Sequence, residues 1–168
     1  HPIELAEPEP GADLPAGPLG VEVEAVTFAY RGAETVPVLR DVSVMIPAGR
    51  TVAVVGETGS GKTTFAKLLC RLADPGQGRI LVGGVPLAEV APAARNRAIR
   101  LVPQDGFLFD TSIRENVRFG APGGDATDGE AEAAFTRLGL GWWVARQPGG
   151  LDHRVGERGE NLSVGERQ

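Results

Sequence analysis

Residues 56–63 read Gly56-Glu57-Thr58-Gly59-Ser60-Gly61-Lys62-Thr63, and this stretch decides the fold. It matches the G-x-x-x-x-G-K-[S/T] pattern of a phosphate-binding loop. Just before it, Val52, Ala53, Val54 and Val55 form a continuous apolar run, as in a strand covered on both faces of a parallel sheet. Just after it, Phe65, Leu68, Leu69 and Leu72 fall at helical spacing. Asp74-Pro75-Gly76 then stops the helix. Strand, Gly-rich turn and helix in that order predict an α/β fold built around a phosphate site.

Each residue type in the loop has a physical reason. Gly56, Gly59 and Gly61 let the backbone bend tightly, so that the N–H groups of the loop, those of Glu57, Thr58 and Ser60 included, turn inward around an anion. The helix that starts near Gly61 adds the positive end of its dipole. Lys62 reaches the β- and γ-phosphates as a mobile point charge. The Thr63 hydroxyl suits Mg²⁺, and Thr64 can donate to the α-phosphate. A sterile Gly-rich turn would have no use for the Lys-Thr pair. The ligand expected here is ATP or a close relative, with Mg²⁺.

The rest of the chain gives this loop a setting. The 168 residues suffice for about one domain, and the net charge of −5 argues against a protein that tracks a nucleic-acid backbone. A lone cysteine, Cys70, excludes an internal disulfide and a Cys-rich zinc site. No apolar run approaches the ~18 residues of a membrane span, and the acidic start lacks the order of a signal peptide. Residues 1–20, with prolines at 2, 8, 10, 15 and 18, read as a poorly ordered linker or arm. Alternation from Val21 to Tyr30 and the pattern of residues 38–46 predict two antiparallel strands. Residues 79–82 and 98–102 read as further strands. Residues 112–118, 128–138 and 142–147 read as short helices, with Asp128 as N-cap of the second.

Three segments narrow the reading. Tyr30, at a strand end, is placed to stack on a base. Gln104 follows directly on Leu101-Val102-Pro103, where a neutral amide could touch Mg²⁺ or an attacking water. In Leu162-Ser163-Val164-Gly165-Glu166, Ser163 can cap a helix while Gly165 lets a phosphate approach the backbone. Taken singly, a packed Tyr, a surface Gln and a plain N-cap are the simpler readings.

Together and in this order, these pieces resemble the nucleotide-binding domain of ATP-binding-cassette (ABC) transporters, over residues 21–168. Tyr30 matches the A-loop, Gly56 to Thr63 the Walker A motif, Gln104 the Q-loop, and Leu162 to Glu166 the signature. Finer text is similar to the exporter type. Phe109-Asp110-Thr111-Ser112-Ile113-Arg114-Glu115-Asn116-Val117 resembles the segment after the exporter Q-loop, and Val155-Gly156-Glu157-Arg158-Gly159 resembles the exporter X-loop.

The resemblance implies a P-loop NTPase: an antiparallel β-subdomain, part of a RecA-like core, and a helical subdomain ending at the signature. The implied division is 1–20 arm, 21–105 β-subdomain and P-loop core, and 106–168 helical subdomain. It implies ATP and Mg²⁺ as cofactors, and a transmembrane domain as partner, met through Phe107, Leu108, Phe109 and Asp110 and through residues 155–159. A second nucleotide-binding domain would complete the site with Ser163 and Gly165. The place implied is the cytoplasmic face of the membrane.

Two departures bear on these expectations. The usual signature, Leu-Ser-Gly-Gly-Gln, here carries Val164 and Glu166, and the acid should weaken phosphate binding unless it points away. No apolar strand ending in Asp-Glu (Walker B) is found. Phe107-Leu108-Phe109-Asp110 is too short a run after Pro103, Gln104 and Gly106 to supply it. The sequence therefore predicts binding without efficient hydrolysis. Cys70, Trp142 and Trp143 read as packing residues, and His153 lies away from any switch position. A soluble ABC ATPase of DNA repair, a P-loop kinase and a nucleotide sensor remain the alternatives. The region between Gln104 and Leu162 has none of the heptads or cysteines of the first, and a kinase would leave the Ser163 segment unexplained.

Overall fold

The structure is a computed structural model that describes residues 5–30, 32, 36–103, 106–121, 126–163 and 165–166. The chain divides into two compact units, residues 1–101 and 102–168.

The first unit is organised by an antiparallel sheet. Strand β1 (Val21–Phe28) pairs with β2 (Leu39–Ile46), with Val21 opposite Ile46 and Val23 opposite Val44. On its other edge β1 pairs with β3 (Gln77–Val82), with Val23 opposite Ile80. Gly83 and Gly84, both at positive φ, turn β3 into the short β4 (Val85–Pro86), so the sheet order is β2-β1-β3-β4. Both ladders of β1 slip in register near Ala25, which sits at φ 49°. There Ser43 and Thr27 accept from the backbone N–H groups of Ala25 and Asp41 at 2.9 and 3.0 Å, so the irregular stretch keeps its hydrogen bonds.

Helix α1 (Lys62–Leu69) buries Phe65 and Leu68 among Val23, Val26, Phe28, Leu39, Ile80 and Val82. Leu68 is only 1% exposed, so its loss would leave a cavity worth about 2–5 kcal/mol. The helix ends at Leu69, earlier than the apolar spacing suggests, and Arg71 takes up a left-handed φ of 50°. Helix α2 (Pro92–Ala98) starts on Pro92, a residue suited to a first turn. It has no counterpart in the sequence reading, because it buries Ala94 alone.

Three expectations for this unit are corrected. Residues 51–55 form no strand, and Val55 is 87% exposed. Residues 98–102 form no strand either: Ala98 ends α2, and residues 99–102 are irregular. A strand needs a partner for its ladder, and no described segment pairs with either run. The third concerns the arm, which is docked over its described residues, 5–20. Ala12 and Ala91 bond through Ala12 O at 2.8 Å, Ala12 N donates to Glu89 O at 2.7 Å, and Leu14 and Leu19 pack on the core. Gly11 fits because a Cβ there would lie 2.5 Å from the Ala91 Cα.

Among its described residues the second unit holds three short α-helices, α3 (Ile113–Phe119), α4 (Asp128–Arg137) and α5 (Gly141–Arg146). They pack through Ile113, Ala131 and Val144 with Leu151, Val155 and Leu162. Ser112 caps α3. The cap of α4 is Thr127 and not Asp128: Thr127 and Glu130 form a reciprocal capping box, and Asp128 is the first helical residue. Arg114 ties the helices together, with paired bonds to Asp152 at 3.0 and 3.1 Å and a further contact to Asp128. That guanidinium holds the Asp152 carboxyl below its ordinary range.

Candidate functional site: a phosphate loop on α1

The loop of residues 56–61 is irregular, exposed over residues 56–60 and half-buried at Gly61, open as an anion cradle must be. Gly59 and Gly61 sit at φ 86° and 90°, in the left-handed region that a side chain resists. Gly61 has a second constraint, because a Cβ there would come within 2.9 Å of Leu39 and 3.2 Å of the Val38 carbonyl. Gly56 is likewise closed in by the Ser60 hydroxyl. Ser60 N donates to Glu57 O at 3.2 Å and closes the turn over Thr58 and Gly59.

Gly61 is the N-cap of α1, and no side chain caps that end. The first-turn N–H groups, those of Lys62, Thr63 and Thr64, therefore meet no side-chain acceptor, and no acid lies in the first turn to neutralise the dipole. Lys62 folds back over the loop. Its Nζ donates to Gly56 O at 2.8 Å and Glu57 O at 2.7 Å, with the Ser60 hydroxyl at 3.4 Å. The ammonium thus hangs on the loop that would hold the phosphates. Thr63 is exposed, with its hydroxyl free to serve as an oxygen ligand for a hard cation, whereas Thr64 is buried. Among the described residues no cluster of acids, His or Cys could hold a metal by itself. A Mg²⁺ here would thus take its oxygens largely from phosphates and water, as this ion commonly does.

Tyr30 comes to the same helix. Its hydroxyl lies 3.0 Å from Thr64 Oγ1, and its ring stands edge-on to Phe28 with centroids 5.0 Å apart. A small cavity of about 250 Å³ lies beside it, lined by Phe28, Tyr30, Thr64, Lys67, Leu68 and Leu72. The first unit so gathers Tyr30, the whole loop, Lys62, Thr63 and Thr64. Gln104 lies outside the described residues.

Ser163 and Gly165 belong to the second unit and are exposed; Val164 between them lies outside the described residues. Glu166 does not point away from Ser163. Its Oε2 accepts from Ser163 N at 2.8 Å and from Ser163 Oγ at 2.5 Å, and its Oε1 accepts from Trp143 Nε1 at 2.6 Å. The Ser163 hydroxyl, the Trp143 indole and the Ser163 amide together pull the Glu166 carboxyl down to about 2. The spacing Ser163-x-x-Glu166 is that of a capping box, and this was the signal in the sequence that could have foretold the contact. Trp143, read from sequence as a packing residue alone, also supplies a donor.

Both the sequence and the fold are similar to those of known proteins. A family model described as ABC transporter matches residues 39–168. A fatty acid ABC transporter ATP-binding/permease protein of Mycobacterium bovis is 42% identical over 168 residues, covering all of this chain and 26% of that protein. An ATM1-type heavy metal exporter of Novosphingobium aromaticivorans is 40% identical over 164 residues, covering 94% of this chain and 26% of the relative. The structure of a bacterial Atm1-family ABC exporter with ATP bound superposes with a TM-score of 0.87 at 37% identity, over 98% of this chain and 28% of that one. The chain spans about a quarter of the length of these relatives.

Proposed function

This chain belongs to the ABC transporter family, and on that footing we propose that it binds Mg²⁺·ATP as the nucleotide-binding domain of an exporter. One observation carries the reading. The uncapped N-terminal end of α1 opens onto a loop bent by two glycines at positive φ, with the Lys62 ammonium hung across it. Backbone N–H groups of residues 57–63 would surround the phosphates, and Lys62 would move from the loop carbonyls to the phosphate oxygens. Thr63 would hold Mg²⁺, Thr64 the α-phosphate and Tyr30 the base. Bound Mg²⁺ would supply charge neutralisation on the phosphates. Gln104 is proposed to meet the same cation or the attacking water.

Ser163 and Gly165 are proposed to face the nucleotide of a second domain, homologous or identical. In support, both are exposed, and Gly165 has open space where a Cβ would stand. The membrane partner is proposed to dock on two segments of the second unit. Phe107, Phe109 and Phe119 are exposed and form a short aromatic ridge: Phe107 stands edge-on to Phe109 at a centroid distance of 5.1 Å, and Phe109 packs on Phe119 at 4.6 Å. In residues 155–159, Val155 is buried as an anchor while Glu157 and Arg158 are exposed. The mycobacterial relative is an ATP-binding/permease protein by name, which favours a membrane partner and a place at the cytoplasmic face of a membrane. Among the described residues, no helix is long and apolar enough to cross one.

The test is a titration of this chain with Mg²⁺·ATP beside Lys62→Ala. Saturable binding that the substitution weakens supports the reading. Binding indifferent to Lys62, or none by the unaltered chain, sinks it.

A further inference from the structure

Glu7 stands at the centre of an ion-pair cluster that ties the arm to the helix of the phosphate loop. Its Oε2 accepts from Arg71 Nη1 at 3.0 Å and from Arg95 Nη1 at 3.1 Å, and its Oε1 accepts from Arg95 Nη2 at 2.8 Å. Arg71 follows α1 by two residues, and its side chain is 2% exposed. Its other two nitrogens also donate: Nη2 gives to the Ala6 carbonyl at 2.7 Å, and Nε to Asp74 at 3.1 Å. The arm so supplies two of the three acceptors of a buried guanidinium. Arg95 comes from α2, and its hydrogen bond to Glu7 is the main reason that the carboxyl is held below its ordinary value.

The far end of α1 carries the phosphate loop. With eight residues the helix is about 12 Å long, too short to bend, and Phe65 and Leu68 fix it to the sheet between its two ends. Its C-terminal turn is closed by Cys70 N to Ala66 O, Arg71 N to Leu68 O and Leu72 N to Lys67 O, at 2.9–3.1 Å. Arg71 holds a left-handed φ that its partners must stabilise. The arm thus meets, through Arg71, the turn that closes the end of α1 opposite the phosphate loop.

We propose that Glu7 is a positioning residue for the phosphate loop: by gripping Arg71 and Arg95 it sets the seat of α1, so that the docking of the arm and nucleotide binding are coupled. This rests on the nucleotide-binding reading above. A staple that merely fastens the arm is the rival account, and Asp74 separates the two. Asp74 also pairs with Arg71 but belongs to the same loop, so Asp74→Asn removes an ion pair without freeing the arm.

The experiment uses the whole chain, unaltered and as Glu7→Gln, Glu7→Asp and Asp74→Asn. It reads Mg²⁺·ATP affinity by calorimetry, hydrogen exchange at the amides of residues 70–72, and the melting temperature. Arg71 itself is left intact, because an unpaired or missing buried guanidinium threatens the fold. In Glu7→Gln the exchange at 70–72 should quicken and ATP should bind roughly three- to tenfold more weakly. Asp74→Asn should leave affinity within about twofold at a similar loss of melting temperature, and Glu7→Asp should recover part of the loss. Unchanged affinity in Glu7→Gln, or a change matched by Asp74→Asn, overturns the proposal and leaves the staple. If the unaltered chain does not bind ATP, the nucleotide reading falls and this coupling with it, whereas slow exchange at 70–72 in Glu7→Gln defeats the coupling alone.

Discussion

The hydroxyl of Tyr30 lies 3.0 Å from the hydroxyl of Thr64, joining the end of β1 to the first turn of α1. Tyr30 thus has two separable parts: a ring available to a base and a hydroxyl committed to the helix. Tyr30→Ala removes both and should cost ATP about 1–3 kcal/mol of stacking. Tyr30→Phe keeps the ring and should change ATP affinity by only about 0.5–1.5 kcal/mol, the scale of one hydrogen bond. Inorganic tripolyphosphate carries no base, so its affinity should be indifferent to the ring. Competition titrations with ATP and tripolyphosphate against the two variants check this, and equal losses for both ligands in Tyr30→Ala would argue against stacking.

Lys62 gives a contrast between binding and stability. Its ammonium donates to the Gly56 and Glu57 carbonyls at 2.8 and 2.7 Å, in an exposed loop. Exposed hydrogen bonds of this sort exchange readily with water, so Lys62→Ala should move the melting temperature little. Toward a triphosphate the same ammonium makes charge-assisted bonds worth about 1.5–3 kcal/mol each. ATP affinity should then fall about tenfold or more while the unfolding curve stays in place. A large loss of stability without loss of affinity would mean that Lys62 serves the loop and not the ligand.

How far these features were legible follows from how local their causes are. The loop, α1, β1 and β2 declare themselves in short windows: glycines at fixed offsets, apolar residues at helical spacing, and alternation from Val21. Val52, Ala53, Val54 and Val55 carry a correct signal of apolarity, yet a strand also requires a partner ladder, which a window cannot supply. Helix α2 was hidden because only Ala94 faces inward. The arm misled for the opposite reason. Its prolines and acids read as solvated chain, but Glu7 finds Arg71 and Arg95 across separations of 64 and 88 positions. Long-range ion pairs leave no periodic trace. Glu166 stood in a legible pattern, Ser-x-x-Glu, while its bond to Trp143 depends on how α5 packs.

Gly78 tests the sheet that carries the loop. It sits at φ 78°, and a Cβ would stand 2.3 Å from the Glu24 carbonyl and 2.4 Å from that of Ala25, both backbone atoms of the irregular part of β1. Neither can yield without breaking the β1–β3 ladder. Gly78→Ala therefore combines left-handed strain, about 1–2 kcal/mol, with a collision that the backbone must relieve. A loss beyond about 3 kcal/mol is expected, read as a fall in melting temperature of more than about 10 °C for a domain of this size. Gly84, also at positive φ but with open space around it, supplies the control. Gly84→Ala should show the strain alone, and a similar loss at both positions would mean that the close approach at Gly78 is not what matters.

Glu166 links the Ser163 segment to pH. Its carboxyl is drawn from an ordinary value of 4.5 to about 2 by the Ser163 hydroxyl, the Trp143 indole and the Ser163 amide. The folded state therefore holds this proton less readily than the unfolded chain does. The stabilisation is complete above pH 4.5 and drains away as pH falls through about 2. Glu166→Gln should flatten the dependence of the second unit's stability over that window and leave it unaltered near neutrality in slope. Trp143 offers a local reporter, since its Nε1 donates to Glu166 at 2.6 Å. In Trp142→Phe, which leaves Trp143 as the sole indole, the emission of the folded protein should shift as pH falls through about 2, and Glu166→Gln should abolish that step. The same substitution bears on phosphate. An ionised Glu166 takes both the amide and the hydroxyl of Ser163, so removing its charge should strengthen the proposed nucleotide-dependent pairing of two domains across Ser163. Pairing that weakens in Glu166→Gln would show that the carboxylate orients Ser163 for the phosphate and does not compete with it.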